Sequence, residues 1–237
     1  MVLHMKHTGL VAVSGIALLV GLTACQNLPI LTEPIYEDQS LIVRLAVDQT
    51  IGGGHSHPAT FEGEEMSSFL SGVIIEEPTS LVPPLPLPGQ RSEPSRHPAF
   101  TAAEIDLLAP ILAKGLNSAK PEEIVTFYWI TQPPPVDQVT SGGIFVEGDE
   151  LHFILGNYRS PTRYPPDAET IQSLDGRSTP LQPLVPQETL MTFNPATVLV
   201  PLKQGALKNP FRAKRREIAV LFKQLPSNRL DAVHESH

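Results

Sequence analysis

The chain has 237 residues with 17 basic and 25 acidic side chains, giving a net charge of −8 at pH 7. This acidic balance argues against nucleic-acid binding and against a broad electrostatic grip on anionic lipid. Cys25 is the only cysteine, so an internal disulfide and a multi-thiolate metal site are excluded. The 25 prolines, roughly twice the typical 5%, predict short helices and strands separated by many loops.

The first residues have the pattern of an export signal. The segment before Gly9 holds one lysine and no acid, and residues 9–21 are apolar except for Ser14. As a helix this apolar run measures about 20 Å at roughly 1.5 Å per residue, which is too short for a stable membrane span. A basic start followed by a short apolar run is typical of a signal peptide. The run ends in Leu22-Thr23-Ala24-Cys25.

These four residues resemble the lipobox of bacterial lipoproteins at every position. The resemblance implies that the Cys25 thiol takes a diacylglyceryl group and that the signal is cut before Cys25. It further implies that the new amino group is acylated with a fatty acid such as palmitate. Gln26 stands where an aspartate resembles an inner-membrane retention signal, so in a Gram-negative envelope we expect an outer-membrane anchor facing the periplasm. In another envelope we expect the extracytoplasmic face of the cell membrane. The alternative is an ordinary secretory signal with a chance cysteine.

The mature chain loses one lysine, Lys6, and no acid, so its net charge becomes about −9. We expect the covalent lipid on Cys25 to be its only cofactor-like group. The expected regions are a signal peptide (1–24), a tether (25–39), one periplasmic domain (40–226) and a flexible tail (227–237). Within the domain, residues 40–77 and 99–226 are joined by a proline-rich loop, 78–98, in which a polyproline II spacer is favoured.

Apolar spacing predicts the first elements of the domain. Residues 41–47 alternate with one fully apolar face, which predicts a strand. Residues 62–71 have apolar side chains at helical spacing, and the apolar stretch 73–76 predicts a strand.

The clearest helix prediction covers residues 102–117. Thr101 and Glu104 have capping-box spacing, and Phe100 with Ile105 has the spacing of a hydrophobic staple. Pro110 predicts a kink or break near Ala109. Residues 124–130 then predict a strand with Val125, Phe127 and Trp129 on one face.

The segment 140–155 predicts a β-hairpin that turns at Gly148-Asp149. This register pairs Val146 with Leu151 and Ile144 with Phe153 on one apolar face. We expect a long loop over 158–187 and strand character over 190–202, interrupted by Pro195. Apolar residues over 218–225 have helical spacing, and residues 218–222 fit a strand equally well. A helix is slightly favoured, with Asn209-Pro210 as its start.

Together these elements predict an α+β fold: a small, mostly antiparallel sheet with two or three helices packed on it, rich in loops and prolines. His57-Pro58-Ala59 and His97-Pro98-Ala99 each precede a predicted helix and strand. This echo indicates two copies of one unit, one unit reused on one sheet, or coincidence. In each case the histidine is expected to have a structural role.

His55 and His57 form the candidate metal site. In an extended chain their imidazoles point the same way, and imidazole suits zinc or copper. His97, His152 or Glu62 could complete the set, although no spacing rule selects one. The alternative is a flexible glycine loop with solvated histidines, which we favour, so a bound metal is not expected.

Three further segments carry weaker signals. The acids of the hairpin turn, Glu147, Asp149 and Glu150, could attract calcium or could simply be solvated. Residues 140–143 could form an anion-binding nest or a plain turn. A basic cluster could contact an anionic partner or be a solvated helix face; its members are Arg212, Lys214, Arg215 and Arg216.

The sequence contains no G-x-S-x-G, S-x-x-K, H-E-x-x-H or P-loop motif. We therefore expect a non-enzymatic lipoprotein whose periplasmic domain binds an unidentified protein partner as an envelope accessory. The alternative is a periplasmic metal- or ligand-binding protein that uses the His55/His57 loop. An enzyme of another type is the third possibility.

Overall fold

A computed structural model describes residues 33–47, 53–77, 95–132, 136–162, 179–202 and 216–225. Several predicted features lie outside these residues: the signal peptide, Cys25, most of the proline-rich loop, the tail, and the basic residues Arg212, Lys214 and Arg215. Within the described part of the chain, no helix is long and apolar enough to cross a membrane.

The described residues form two antiparallel sheets and two α-helices, which confirms the predicted α+β class with more sheet and fewer helices than expected. The larger sheet has the order β1-β2-β5-β6-β7-β10-β9 and the smaller one the order β4-β3-β8. The strands of the larger sheet are β1 (Glu33–Glu37), β2 (Leu41–Ala46), β5 (Ile124–Thr131), β6 (Asp137–Glu147), β7 (Glu150–Thr162), β9 (Leu199–Val200) and β10 (Glu217–Leu221). The smaller sheet contains β3 (Val73–Glu77), β4 (Ser95–Pro98) and β8 (Leu190–Phe193), and the helices are α1 (Gly63–Gly72) and α2 (Ala102–Ser118). Three short 3₁₀ helices cover Thr179–Leu181, Ala196–Val198 and Phe222–Gln224.

The hairpin of β6 and β7 lies inside the larger sheet and has the predicted register. Val146 pairs with Leu151 and Ile144 with Phe153, and the chain turns at Gly148 with a φ of 61°. A positive φ suits glycine because it has no Cβ to clash with the backbone. The side chains of both pairs are buried under the helices.

Helix α2 begins with the predicted capping box. The Glu104 carboxylate accepts a hydrogen bond from the Thr101 backbone N–H, and the Thr101 hydroxyl accepts one from the Glu104 N–H. The predicted break at Pro110 is wrong, because the helix runs unbroken through it. Leu108, Leu112 and Leu116 are fully buried along one stripe, and this tertiary packing supplies stability that the proline removes locally.

One face of the larger sheet carries the main core. Both helices and the smaller sheet pack against it, and aromatic rings meet there. The Phe153 ring lies 5.9 Å from Phe127 of β5, 5.8 Å from Phe69 of α1 and 6.2 Å from Phe100, just before α2. The opposite face holds smaller apolar clusters, and in one of them Phe145 and Ile154 pack against Leu181.

The last described strand corrects a prediction. Residues 217–221 form β10 rather than a helix, paired with β7 on one side and β9 on the other. Ile218 and Val220 face the main core while Ala219 is buried on the other face. The residues that face the main core therefore alternate with a period of two, which the helical spacing of Ile218, Leu221 and Phe222 concealed.

Two strands occur where the sequence predicted tether or loop. β1 falls within the predicted tether 25–39, and β4 falls within the predicted loop 78–98. Each pairs with a neighbour already predicted, β1 with β2 and β4 with β3. The predicted loop 158–187 also starts later than expected, because β7 continues to Thr162.

The predicted interruption at Pro195 is confirmed. β8 ends before it and pairs with β3, whereas β9 follows it and pairs with β10. The His-Pro-Ala echo does not repeat one unit on one sheet. Helix α1 leads into β3 of the smaller sheet, and α2 leads into β5 of the larger sheet.

The ends of α1 offer a matched test of packing. A Cβ on Gly72, the last residue, would lie 2.3 Å from the Phe193 ring and 2.8 Å from the Asn194 carbonyl oxygen. A Cβ on Gly63, the first residue, meets nothing closer than 3.9 Å. We expect Gly72→Ala to lower the free energy of unfolding by about 1–3 kcal/mol, the usual range for overpacking. Gly63→Ala should be neutral or stabilising by about 0.4–1 kcal/mol. Urea denaturation measures both, and equal effects would contradict the close approach of α1 to β8.

Candidate functional site

The segment Gly53–Pro58 contacts both Pro121, between α2 and β5, and the turn of the β6–β7 hairpin. The Gly54 and His55 N–H groups both donate to the Pro121 carbonyl oxygen, each at 2.9 Å. The Ser56 N–H donates to the Val146 carbonyl oxygen at 2.8 Å, and the Ser56 hydroxyl accepts from the Gly148 N–H at 2.8 Å. His55 and His57 are both buried. The expectation of a flexible loop with solvated histidines is therefore wrong.

This docking completes the hydrogen bonding of β6. The first pair between β5 and β6 joins Val125 to Ile144, so the backbone at Val146 lies beyond the reach of β5. Buried backbone groups need partners. The Ser56 N–H satisfies the Val146 carbonyl, and Nε2 of His57 accepts from the Val146 N–H at 3.1 Å.

The hydrogen bond donated by the Val146 N–H determines the protonation state of His57. Its Nε2 must be unprotonated to accept, so the ring is neutral and carries its proton on Nδ1. Burial lowers the pKa of His57, and the neighbouring His55 lowers it further, while the backbone at Glu123 and Lys120 opposes the shift. The lone pair of Nε2 is thus committed to the backbone, which removes one ligand from the predicted His55/His57 metal site.

The residues predicted to complete that site are mostly elsewhere. His97 lies in β4, 3.3 Å from Glu77, and Glu62 precedes α1. His152 shares a neighbour with His55, since the Phe145 ring lies 4.5 Å from the His55 ring and 4.6 Å from the His152 ring. Among the residues that the structure describes, no group of three or more His, Cys, Asp or Glu is arranged to hold a metal ion.

His152 is surrounded by carboxylates near the hairpin turn. Its Nδ1 lies 2.9 Å from a Glu217 oxygen, and its Nε2 lies 3.5 Å from Glu150 and 3.9 Å from Glu147. Glu147 and Glu150 are paired directly across the turn, where like charges repel. The imidazole lies between these two carboxylates. The third acid of the turn, Asp149, pairs with Lys223.

Residues 140–143 form neither a nest nor a turn. They lie within β6 and pair with β5 from Trp129 to Thr126. The glycines allow tight packing at this point, since a Cβ on Gly142 would lie 2.1 Å from the Ile154 carbonyl oxygen. The prediction failed because glycines that favour a turn also permit close approach of strands.

A buried polar network that the sequence did not reveal fixes the segment after Thr179. The Asn157 amide nitrogen donates to the Ser141 hydroxyl at 2.9 Å and to the Gln182 carbonyl at 2.8 Å. Its Oδ1 accepts from the Leu184 N–H at 2.7 Å. The Ser141 hydroxyl in turn donates to the Pro180 carbonyl. Asn157 and Ser141 are fully buried, so the proline-rich segment is held by specific partners rather than by regular structure.

Arg216 is the one described member of the predicted basic cluster, and its guanidinium is used within the chain. It donates to the Thr189 hydroxyl, to the Gln187 side-chain oxygen and to the Gly156 carbonyl. Burial lowers the pKa of Arg216. Its donors hold residues 187–189 against β7, which leaves little of this side chain for a partner.

The fixed segment carries exposed apolar side chains. Leu184 is 42% exposed, Val185 36% and Leu190 61%, the highest value among the large apolar side chains of the described residues. Asn157 binds the backbone at Leu184, Arg216 binds Thr189, and Leu190 pairs with Glu76 of β3. Exposed apolar side chains mark a contact surface where they form a contiguous patch, so these three are the candidates for such a surface on this segment.

An open cleft of about 550 Å³ lies at the opposite end of the sheet from the hairpin turn. Its lining includes Asp38, Ser40 and Ile130. Burial acts to raise the pKa of Asp38, but hydrogen bonds from Tyr36, Ser40 and Leu41 outweigh it and lower the pKa to about 2. The carboxylate is therefore charged and occupied in its own turn, which makes it a poor acid or base for catalysis at neutral pH.

No protein-family model, no curated protein and no solved structure matches this chain. The function must therefore be argued from its own residues. Of the predicted site residues, the structure brings His55 and His57 together and places Arg216 in a structural role.

The neutral state of His57 predicts a pH-dependent stability. In the unfolded chain a histidine has a pKa of about 6.5, and in the folded chain that pKa is lower. Between the two values the unfolded state binds more protons, so stability falls as the pH falls below about 6.5. We expect His57→Gln to reduce the slope of unfolding free energy against pH in this window. Ser56→Ala should lower stability without changing the slope. An unchanged slope in His57→Gln would contradict the lowered pKa of His57 in the folded chain.

The contacts of Arg216 predict a structural cost on truncation. Arg216→Ala removes three charge-assisted hydrogen bonds and should cost about 2–3 kcal/mol. Arg96→Ala serves as the control, because Arg96 is 58% exposed and pairs only with Glu76 among the described contacts. We expect that control to cost less than about 1 kcal/mol. Urea denaturation at pH 7 compares them, and similar costs would mean that Arg216 is not a structural clamp.

Proposed function

We propose that this chain is an exported bacterial lipoprotein whose folded domain binds a protein partner in the cell envelope. The observation that carries the anchor is the lipobox-like Leu22-Thr23-Ala24-Cys25 after a short apolar run. In this proposal Cys25 is the first residue of the mature chain and bears the lipid. Two or more acyl chains give stable membrane attachment, whereas one gives only marginal binding.

Gln26 favours the outer membrane, facing the periplasm, if the envelope is Gram-negative. The acidic chain supports neither a nucleic-acid partner nor a broad electrostatic hold on lipid. Membrane contact is thus assigned to the lipid, and the domain is left to bind other molecules.

The apolar side chains at Leu184, Val185 and Leu190 favour a protein as that partner. They are exposed on a segment that Asn157 and Arg216 hold in place. A pre-ordered surface loses less conformational entropy on binding than a flexible one. Apolar side chains of this size suit burial against another protein better than contact with a small polar ligand.

A non-enzymatic role is supported by how the polar groups near the histidines are used. The Ser56 hydroxyl accepts the Gly148 N–H, and His57 accepts the Val146 N–H. Both side chains are therefore hydrogen-bonded to the backbone of the β6–β7 hairpin. Neither is hydrogen-bonded to the other in the pattern of a nucleophile and its base.

The alternative is a metal- or ligand-binding protein that uses the His55/His57 loop. The proximity of the two rings, with centroids 5.6 Å apart, favours it, and the commitment of His57 Nε2 to Val146 weighs against it. Metal analysis of the purified domain decides. Stoichiometric zinc or copper that is lost on His55→Ala would establish this alternative.

The partner proposal is tested by site-specific photocrosslinking in cells. A photoreactive residue replaces Leu190, or Lys114 on the exposed face of α2 as a control. We expect a discrete crosslinked species from position 190 and none from position 114, and we expect it to weaken when Cys25→Ser removes the anchor. Crosslinks of equal yield from both positions, or none from position 190, would contradict the proposal.

A further inference from the structure

The direction of β1 relates the proposed anchor to one end of the sheet. Glu33 lies in the row Glu33–Leu45–Val125–Ile144 across β1, β2, β5 and β6. From Ile144, β6 continues three residues to Glu147 before the turn at Gly148. β1 runs antiparallel to β2, whereas β6 runs the same way as β2. The first residue of β1, Glu33, is therefore at the end of that strand nearer the β6–β7 turn.

The distance between lipid and sheet is limited by chain length. Seven residues lie between Cys25 and Glu33, so eight residue-to-residue steps separate the two. Even fully extended, they span at most about 29 Å at 3.3–3.6 Å per residue. The far end of β6, at Asp137, lies about 23 Å beyond the Ile144 row at roughly 3.3 Å per residue. Glu33 is thus nearer the turn end of the sheet, since only the three residues from Ile144 to Glu147 extend on that side.

We infer that the end of the sheet with the β6–β7 turn faces the lipid surface, and that the end with the cleft at Asp38 faces away from it. This inference rests on the proposed anchor at Cys25. It assigns the turn at Gly148-Asp149 and the docked segment Gly53–Pro58 to the membrane side of the domain.

The charge of this end determines how it meets the lipid. Glu33, Glu122, Glu147 and Asp149 are exposed there, and Lys223 already pairs with Asp149. This acidic excess repels anionic headgroups within a Debye length, about 8–10 Å at physiological salt. This end therefore faces the membrane across a water layer and does not insert into it. The span of about 29 Å between Cys25 and Glu33 is long enough to cross that layer.

Energy transfer to labelled lipid tests the orientation. Lipidation blocks Cys25, so a second cysteine becomes the only thiol available to a donor dye. Asp149→Cys places the donor at the turn, and Gln132→Cys places it at the other end of the sheet. Both positions are exposed, and they lie about 36 Å apart along the strands at roughly 3.3 Å per residue. The lipidated full chain is bound to phosphatidylcholine vesicles that carry a headgroup-labelled acceptor lipid.

We expect transfer from position 149 to be several times more efficient than transfer from position 132. Equal or stronger transfer from position 132, with the protein still bound to vesicles, would overturn the orientation and leave the anchor intact. Failure of the wild-type chain to bind vesicles better than Cys25→Ser would overturn the anchor and the orientation together.

Discussion

The packing of Phe153 against three other aromatic rings joins the layers of this fold. Its ring meets Phe127 within the same sheet and Phe69 and Phe100 from the helical layer. Phe69 in turn stacks on Phe193 of the smaller sheet at 5.5 Å. One buried side chain in the central hairpin therefore links both sheets to the segments that carry the helices. Large aromatic side chains contribute strongly to burial and also favour specific ring geometries, so this cluster fixes how the layers meet.

Irregular segments are then attached to this framework by buried polar side chains. His57 completes the hydrogen bonding of Val146, Asn157 holds Gln182 and Leu184, and Arg216 holds Gln187 and Thr189. Each of these side chains satisfies backbone or amide groups that burial would otherwise leave unpaired. A proline-rich chain makes fewer regular hydrogen bonds, so single polar contacts of this kind determine where its loops lie. The exposed leucines of the proposed partner surface depend on two of them.

The parts of the fold that the sequence predicted are those specified by neighbouring residues. The hairpin register follows from apolar alternation around Gly148-Asp149, and the start of α2 follows from the Thr101/Glu104 capping box. β10 was mistaken for a helix because five residues fit both periods until pairing with β7 decides. The burial of His57 could not be predicted, since its partner Val146 is 89 residues away. Asn157 was missed for the same reason. Arg216 was assigned to an anionic partner or a solvated helix face because its actual partners, Gly156 and Gln187, are 60 and 29 residues away.

The two parts of the proposed function, the anchor and the partner surface, likewise differ in how local their residues are. A lipobox is a local pattern of four residues, whereas a partner surface is assembled by long-range contacts. The anchor at Cys25 is the central claim, and mass spectrometry of the N-terminal peptide from the membrane-extracted protein tests it most directly. We expect a mature chain that begins at Cys25 and carries a diacylglyceryl thioether and an N-acyl group. A chain that retains residues 1–24, or begins elsewhere with an unmodified Cys25, would contradict it.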